Sequence, residues 1–149
     1  MNNDDYIRIA LADDDADDRL FFEEAFEELK IKSKVSTFND GDDLMDYLNN
    51  ESSNLPNLLF LDLNMPRMSG MECLTEIKEN PKFKNIAIAI YSTSASDEDV
   101  ENTFVKGANI YIKKPNDFEV LKKILSEVVT INWQYKTSGL NKDNFLLRL

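Results

Sequence analysis

Apolar residues recur along the chain in two alternating rhythms. Short continuous runs are separated by stretches in which apolar side chains return every three or four positions. Tyr6 to Ala12 (YIRIALA) is the first run and predicts a strand. Over Asp17 to Leu29, the residues Phe22, Ala25, Phe26 and Leu29 fall at i, i+3, i+4 and i+7, one face of a helix. Asp15 and Asp17 are both suitable N-caps, and their charge suits a helix N-terminus. Lys34 to Phe38 is a short strand. Leu44, Tyr47 and Leu48 mark a second helix that begins after Gly41. Leu58 to Asp62 (LLFLD) is apolar until it stops at an acid, as a strand buried on both faces would be. Gly70 to Glu79 predicts a third helix, closed by Asn80-Pro81, and Ala87 to Tyr91 (AIAIY) another buried strand. Ser96 and Asp99 are spaced as a capping box ahead of Val100, Thr103, Phe104 and Gly107 on one helix face. Ile110 to Lys113 is a fifth strand. Phe118, Leu121, Leu125 and Val128 line a fifth helix.

The order is therefore strand-helix, five times. Strands joined by helical crossovers imply a doubly wound α/β fold, a five-stranded parallel sheet with helices on both faces. Ligands of such sheets bind outside the carboxyl ends of the strands.

Composition narrows the function. The chain has 149 residues, enough for one domain, with 17 basic and 28 acidic side chains and a formal net charge of -11. That charge opposes nucleic acid and anionic membranes and favours cations and basic partners. Histidine is absent, which excludes histidine-based nucleophilic triads and histidine-ligated zinc. Cys73 is the single cysteine, so no internal disulfide forms; its place on an apolar helix face predicts buried packing. No signal or transit peptide is evident and no apolar run approaches the length of a membrane span, so a cytoplasmic location is expected.

Polar residues collect at the carboxyl ends of the predicted strands. The first ends in Asp13, Asp14 and Asp15, the third in Asp62 with Asn64 two residues on, the fourth in Ser92 and Thr93, the fifth in Lys113 and Lys114. Crowded carboxylates raise one another's pKa unless a cation intervenes. Magnesium prefers oxygen ligands. Asp14 and Asp62 suit direct ligation, with the Asn64 main-chain carbonyl as a third ligand and Asp13 acting through water. A carboxylate can also attack phosphorus to give an acyl phosphate. Lys113 and Lys114, as neighbours on a strand, point to opposite faces, so only one reaches the acidic pocket. Asp17 and Asp18 read as the solvated start of a helix.

In ADDD, LFLDLNMPRMSG, IYSTS and YIKKP the chain resembles the receiver domain of two-component response regulators, over residues 6 to about 130. Ser92 and Lys114 follow Asp62 by 30 and 52 residues, in agreement with the family pattern. The resemblance implies a flavodoxin-like strand order 2-1-3-4-5. It places the phosphoacceptor on Asp62, the metal-binding acid pair on Asp13 and Asp14, and the hydroxyl and lysine on Ser92 and Lys114. The switch aromatic falls on Tyr111, and a cis bond is implied between Lys114 and Pro115. Small stand-alone regulators, including those linked to bacterial phytochromes, are the nearest likeness within the family.

The function expected is that of a single-domain response regulator, catalysing only its own phosphorylation and dephosphorylation. A histidine kinase or histidine phosphotransfer protein supplies phosphohistidine, and Mg2+ assists. A switch through Ser92 and Tyr111 reshapes the face of helix four, strand five and helix five for a downstream protein target. A Mg-dependent aspartyl-phosphate phosphatase would want a second acid where Asn64 stands. A flavin protein would want a phosphate-cradling loop where ADDDADD stands, and a phosphorylation-independent adaptor would not need the acidic pocket. Residues 131–149 carry Trp133, Tyr135, Leu140, Phe145, Leu146, Leu147 and Leu149. They are read as an extension that folds back on the domain or mediates contacts, including a homodimer.

Overall fold

The computed structural model describes the backbone of residues 6–138 and 146–147, and the side chains of residues 6–130. In chain order the elements are β1 (Ile7–Ala12), α1 (Ala16–Glu28), β2 (Ser33–Phe38), α2 (Gly41–Asn49), β3 (Leu58–Leu61), α3 (Gly70–Glu79), a 3-10 turn (Pro81–Phe83), β4 (Ala87–Ser92), α4 (Asp97–Val105), β5 (Ile110–Lys113), α5 (Phe118–Ser138) and β6 (Leu146–Leu147). All strand pairs are parallel, in the order β2-β1-β3-β4-β5-β6. The expected 2-1-3-4-5 order is present, and a two-residue sixth strand extends it beyond β5. The fifth helix runs past residue 130 to Ser138. The side chains of the apolar tail lie outside the described residues.

Strand alternation sorts the core into two layers. Ile9, Leu11, Leu58, Phe60, Ala89, Tyr91, Ile110 and Ile112 pack with Phe22 and Phe26 of α1 and Leu121 and Leu125 of α5. Their sequence neighbours Ala10, Ala12, Leu59, Leu61, Ile88, Ile90 and Tyr111 face the other way, against Leu44 and Leu48 of α2 and Leu74 and Ile77 of α3. Two residues per repeat thus carry the sheet's two faces. Phe22 is the hub of the first layer: its ring centroid is 4.9 Å from that of Phe60 and 5.9 Å from that of Tyr91, both edge-on. Such pairs add about 0.5–1.5 kcal/mol each beyond area burial. Cys73 is buried as expected, and no helix among the described residues is long and apolar enough to cross a membrane.

Short polar side chains start the helices. Asp15, Asp40, Ser69 and Ser96 each accept a main-chain N–H from three residues on, a contact worth about 1 kcal/mol. Asp15 rather than Asp17 is the cap of α1. Ser69 and Glu72 form a full capping box. Ser96 caps α4, but the Asp99 carboxylate accepts the Ser94 hydroxyl, so that box is half made. No peptide bond is cis among the described residues, so the cis bond expected before Pro115 is not found.

The start of α3 is pressed against the end of β3. A Cβ on Gly70 would lie 2.0 Å from the carbonyl oxygen of Asp62, so only glycine fits. Main chain cannot yield as a flexible side chain would. Gly70→Ala is expected to cost about 3 kcal/mol, at the upper end of overpacking penalties, measured as a lowered urea midpoint; an unchanged midpoint would show that α3 can shift freely.

Candidate functional site

Three strand ends converge because the sheet's hydrogen-bond ladder runs one residue past each strand. Asp13 N–H donates to Phe38 C=O at 3.0 Å, Asp62 N–H to Ala12 C=O at 3.0 Å, and Lys114 N–H to Ser92 C=O at 2.8 Å. Asp13, Asp62 and Lys114 therefore inherit the facing of Leu11, Phe60 and Ile112, toward α1 and α5. Lys113, one residue earlier, is exposed. The side chain of Lys114 is only 8% exposed, and its Nζ lies 2.8 Å from Asp13 Oδ2, 2.8 Å from Asp18 Oδ2 and 3.4 Å from Asp62 Oδ2. The ammonium also stands 5.4 Å from the Tyr91 ring centroid.

Carboxylate oxygens of Asp13, Asp14 and Asp62 lie within 4.8 Å of one another. Asp13 and Asp62 are buried, whereas Asp14 is exposed at the mouth. Asp13 Oδ1 accepts the Asp15 N–H. Asp13 Oδ2 is fully buried without a hydrogen bond: Lys114 Nζ is close to it but off the hydrogen-bond direction. Burial pushes the Asp13 carboxyl up to about 6, against the opposing pull of Lys114 and the Asp15 N–H. Burial also raises Asp62, with Lys114 and the Asn64 N–H pulling the other way and Asp14 adding to the rise. Burial alone would lower the pKa of Lys114, but the carboxylates of Asp13 and Asp18 outweigh it and hold the ammonium above its usual range.

One ammonium among four carboxylates leaves the cluster short of positive charge. A buried carboxylate oxygen that meets an ammonium but makes no aligned hydrogen bond, beside two further carboxylates, suits a hard divalent cation. The donor set is all oxygen, which fits magnesium or manganese better than softer metals.

The loop after Asp62 is held from several sides. Asn64 N–H donates to Asp62 Oδ1 at 3.2 Å, and Gly70 N–H to Leu63 C=O at 3.0 Å. Met68 N–H donates to Pro66 C=O at 2.7 Å, which places Arg67 at the left-handed φ of 67°. A non-glycine residue there costs of order 1 kcal/mol. Offsetting this, Arg67 Nη2 donates to the buried Asp40 Oδ2 at 2.7 Å. The Asp43 N–H and this guanidinium hold the Asp40 carboxyl below the usual range. The loop after Asp62 is thereby tied to the start of α2.

Ser92 and Tyr111 share the opposite face of the sheet. Both are buried; Ser92 Oγ accepts the Ser94 N–H at 3.2 Å, and the Tyr111 hydroxyl donates to Ser94 C=O at 2.6 Å. Thr93 is exposed. Of the acids assigned to solvent, Asp17 is exposed, but Asp18 is drawn into the pocket by Lys114. Sequence reading also missed Arg19, whose Nη1 donates to Asp13 C=O at 2.7 Å, and the Arg67–Asp40 pair. Only Asp18 carried a local signal, as the third residue after a helix cap.

A doubly wound sheet with an acid cluster at the ends of β1 and β3 and a lysine from the end of β5 defines the receiver class of signalling domains. The response regulator receiver domain model matches residues 9–126, and the chain belongs to that family. Among curated proteins it is 32% identical over 124 residues to the response regulator Rcp1 of Synechocystis sp., covering 80% of this chain and 84% of Rcp1. It is 31% identical over 123 residues to a probable methanogenesis regulatory protein, FilR2, of Methanothrix harundinacea, covering 80% and 79% of the two chains. Among solved structures, the phosphorylated cyanobacterial phytochrome response regulator RcpA superposes with a TM-score of 0.79 at 30% identity, over 89% of this chain and 97% of RcpA. The Mn2+-bound form of Rcp1 gives 0.76 at 29%, over 91% and 99%.

The raised pKa of Asp13 has a signed consequence. Its folded value lies above the unfolded one, so ionising it costs stability as pH rises from the unfolded carboxylate range through about 6. In metal-free buffer Asp13→Asn is expected to melt above the native chain at pH 7.5 and to lose that advantage toward pH 4. Mg2+ should raise the melting point of the native chain at pH 7.5 far more than that of the variant. A variant that melts lower at both pH values would refute the assignment.

Proposed function

We propose that the chain is a single-domain response regulator that accepts a phosphoryl group on Asp62. The observation that carries this is a buried carboxylate whose oxygen lies 3.4 Å from the Lys114 ammonium and within reach of the Asp13 and Asp14 carboxylates. The likeness to a phosphorylated regulator and to a Mn2+-bound one supports it.

An oxygen of Asp62 bonds to phosphorus as the P–N bond of a phosphohistidine breaks. The electron pair leaves on the donor imidazole, whose other nitrogen carries a proton. That donor belongs to a histidine kinase or phosphotransfer protein, because this chain has no histidine. Lys114 donates to the equatorial oxygens, where fixed charge in a partly dry site is strongest. Asp14, Asp62 and the Asn64 carbonyl would hold Mg2+, with Asp13 acting through water. When bound, the ion neutralises charge on the transferred group. Water later attacks phosphorus, the bond to Asp62 breaks, and carboxylate and inorganic phosphate are released.

The signal leaves through Ser92 and Tyr111. The Ser92 hydroxyl, whose oxygen accepts the Ser94 N–H, can donate its own O–H to a phosphoryl oxygen, and its movement toward that oxygen draws on the segment that Tyr111 holds through Ser94 C=O. The face of α4, β5 and α5 is the surface offered to a protein target. Asn64, standing where an aspartyl phosphatase needs its second acid, speaks for self-limited turnover over hydrolysis of added esters. We read residues 131–149 as an extension that packs on the domain or mediates contacts.

Incubation with Mg2+ and acetyl phosphate should add the mass of one phosphoryl group to the intact chain. Asp62→Asn should abolish that gain, and full labelling of the variant would move the acceptor elsewhere. Lys114→Ala should still bind Mg2+ but label at least about 100-fold more slowly, as loss of a charge-stabilising donor does; labelling at the native rate would remove its role.

A further inference from the structure

Asp18 holds the key to how Lys114 is aimed. It is the third residue of α1, after the Asp15 cap. An acid at this position commonly reaches back to the main-chain N–H of the cap, as Glu72 does to Ser69 in α3. In α1 that N–H is already taken: Asp15 N–H donates to Asp13 Oδ1 at 3.0 Å. The Asp18 carboxylate is thus released from capping and turns to Lys114, 96 residues away, with an Nζ to Oδ2 distance of 2.8 Å. Of the three carboxylates around Nζ, Asp18 alone receives a short hydrogen bond. Asp62 receives a long one at 3.4 Å, and Asp13 is close but misdirected. Asp18 is 36% exposed and Lys114 8%, so the pair closes the α1 side of the pocket.

We propose that Asp18 is a positioning residue for phosphoryl transfer. It takes one N–H of the ammonium, fixes the direction of the other two, and leaves one of them aimed at Asp62. A lysine side chain has four rotatable bonds and no planar head to orient it. Without Asp18, Nζ, already 2.8 Å from Asp13 Oδ2, can turn an N–H fully onto that oxygen and away from the acceptor. The proposal rests on Asp62 as the phosphoacceptor and assigns an additional residue to that site.

The test measures labelling by acetyl phosphate in saturating Mg2+. Asp18→Ala is expected to lower the limiting rate about 10-fold, within the range that small misplacements cost, while the half-saturating acetyl phosphate concentration does not rise. Asp18→Asn, which keeps an oxygen at the same reach, should recover most of the rate. In a Lys114→Ala background, Asp18→Ala should have no further effect. An Asp18→Ala chain that labels as fast as the native one or faster would overturn the proposal, since Asp18 would then act only as a charge repelling the donor. So would an equal loss with and without Lys114, the sign of a general structural defect. A second measurement does not depend on the chemistry. The Lys114 ammonium signal in 15N NMR should be protected from exchange in the native chain and in Asp62→Ala, and lose protection in Asp18→Ala. Protection that persists in Asp18→Ala would also refute it. If the native chain takes no label at all, the Asp62 reading fails and the proposal falls with it, whereas a native chain that labels while Asp18→Ala is unaffected overturns the proposal alone.

Discussion

A single buried ammonium organises the working end of this molecule. Lys114 comes from the last strand of the expected five, while the acids around it come from the ends of β1 and β3 and the first turn of α1. The sheet brings these groups together at the cost of stripping water from them. Burial of this kind favours neutral carboxyls and a neutral amine. The ammonium stays charged because more than one carboxylate faces it, and the carboxylates stay short of compensation because one ammonium cannot satisfy them all. That imbalance is a property of the folded scaffold. It makes the pocket an acidic cluster able to hold a cation.

The surrounding structure holds these charges in place through main chain more than through side-chain packing. Asp13, Asp62 and Lys114 each extend the sheet's hydrogen-bond ladder by one residue. The loop between Asp62 and α3 is fixed by the close fit of Gly70 to the Asp62 carbonyl and by the Arg67–Asp40 pair. Arg19 fixes the carbonyl of Asp13. Such preorganisation suits chemistry that consists mainly of positioning and charge stabilisation.

The sequence revealed most of the scaffold for a simple reason. β1, β3, β4 and β5 are apolar runs ending in polar residues, a pattern that few other folds demand, and the α1 and α3 faces kept a clean helical period. Asp13, Asp14, Asp62, Ser92 and Lys114 stood out because they sit at those ends in a fixed spacing. Asp18 was hidden because its partner is 96 residues distant, and because an acid in a first helical turn ordinarily faces water. Arg67 was hidden for another reason: its left-handed backbone leaves no trace in residue type when the residue is not glycine or asparagine. The sixth strand escaped because two residues carry no periodicity to read.

That sixth strand changes the mechanics at Tyr111. The main chain of Tyr111 is in register with Ile90 of β4 on one side and with Leu146 of β6 on the other. A strand at a sheet's rim can peel or slide, but one with neighbours on both flanks is clamped like a plank between two others. Any shift of the main chain at this residue must therefore break its pairing with one flank or carry that flank along.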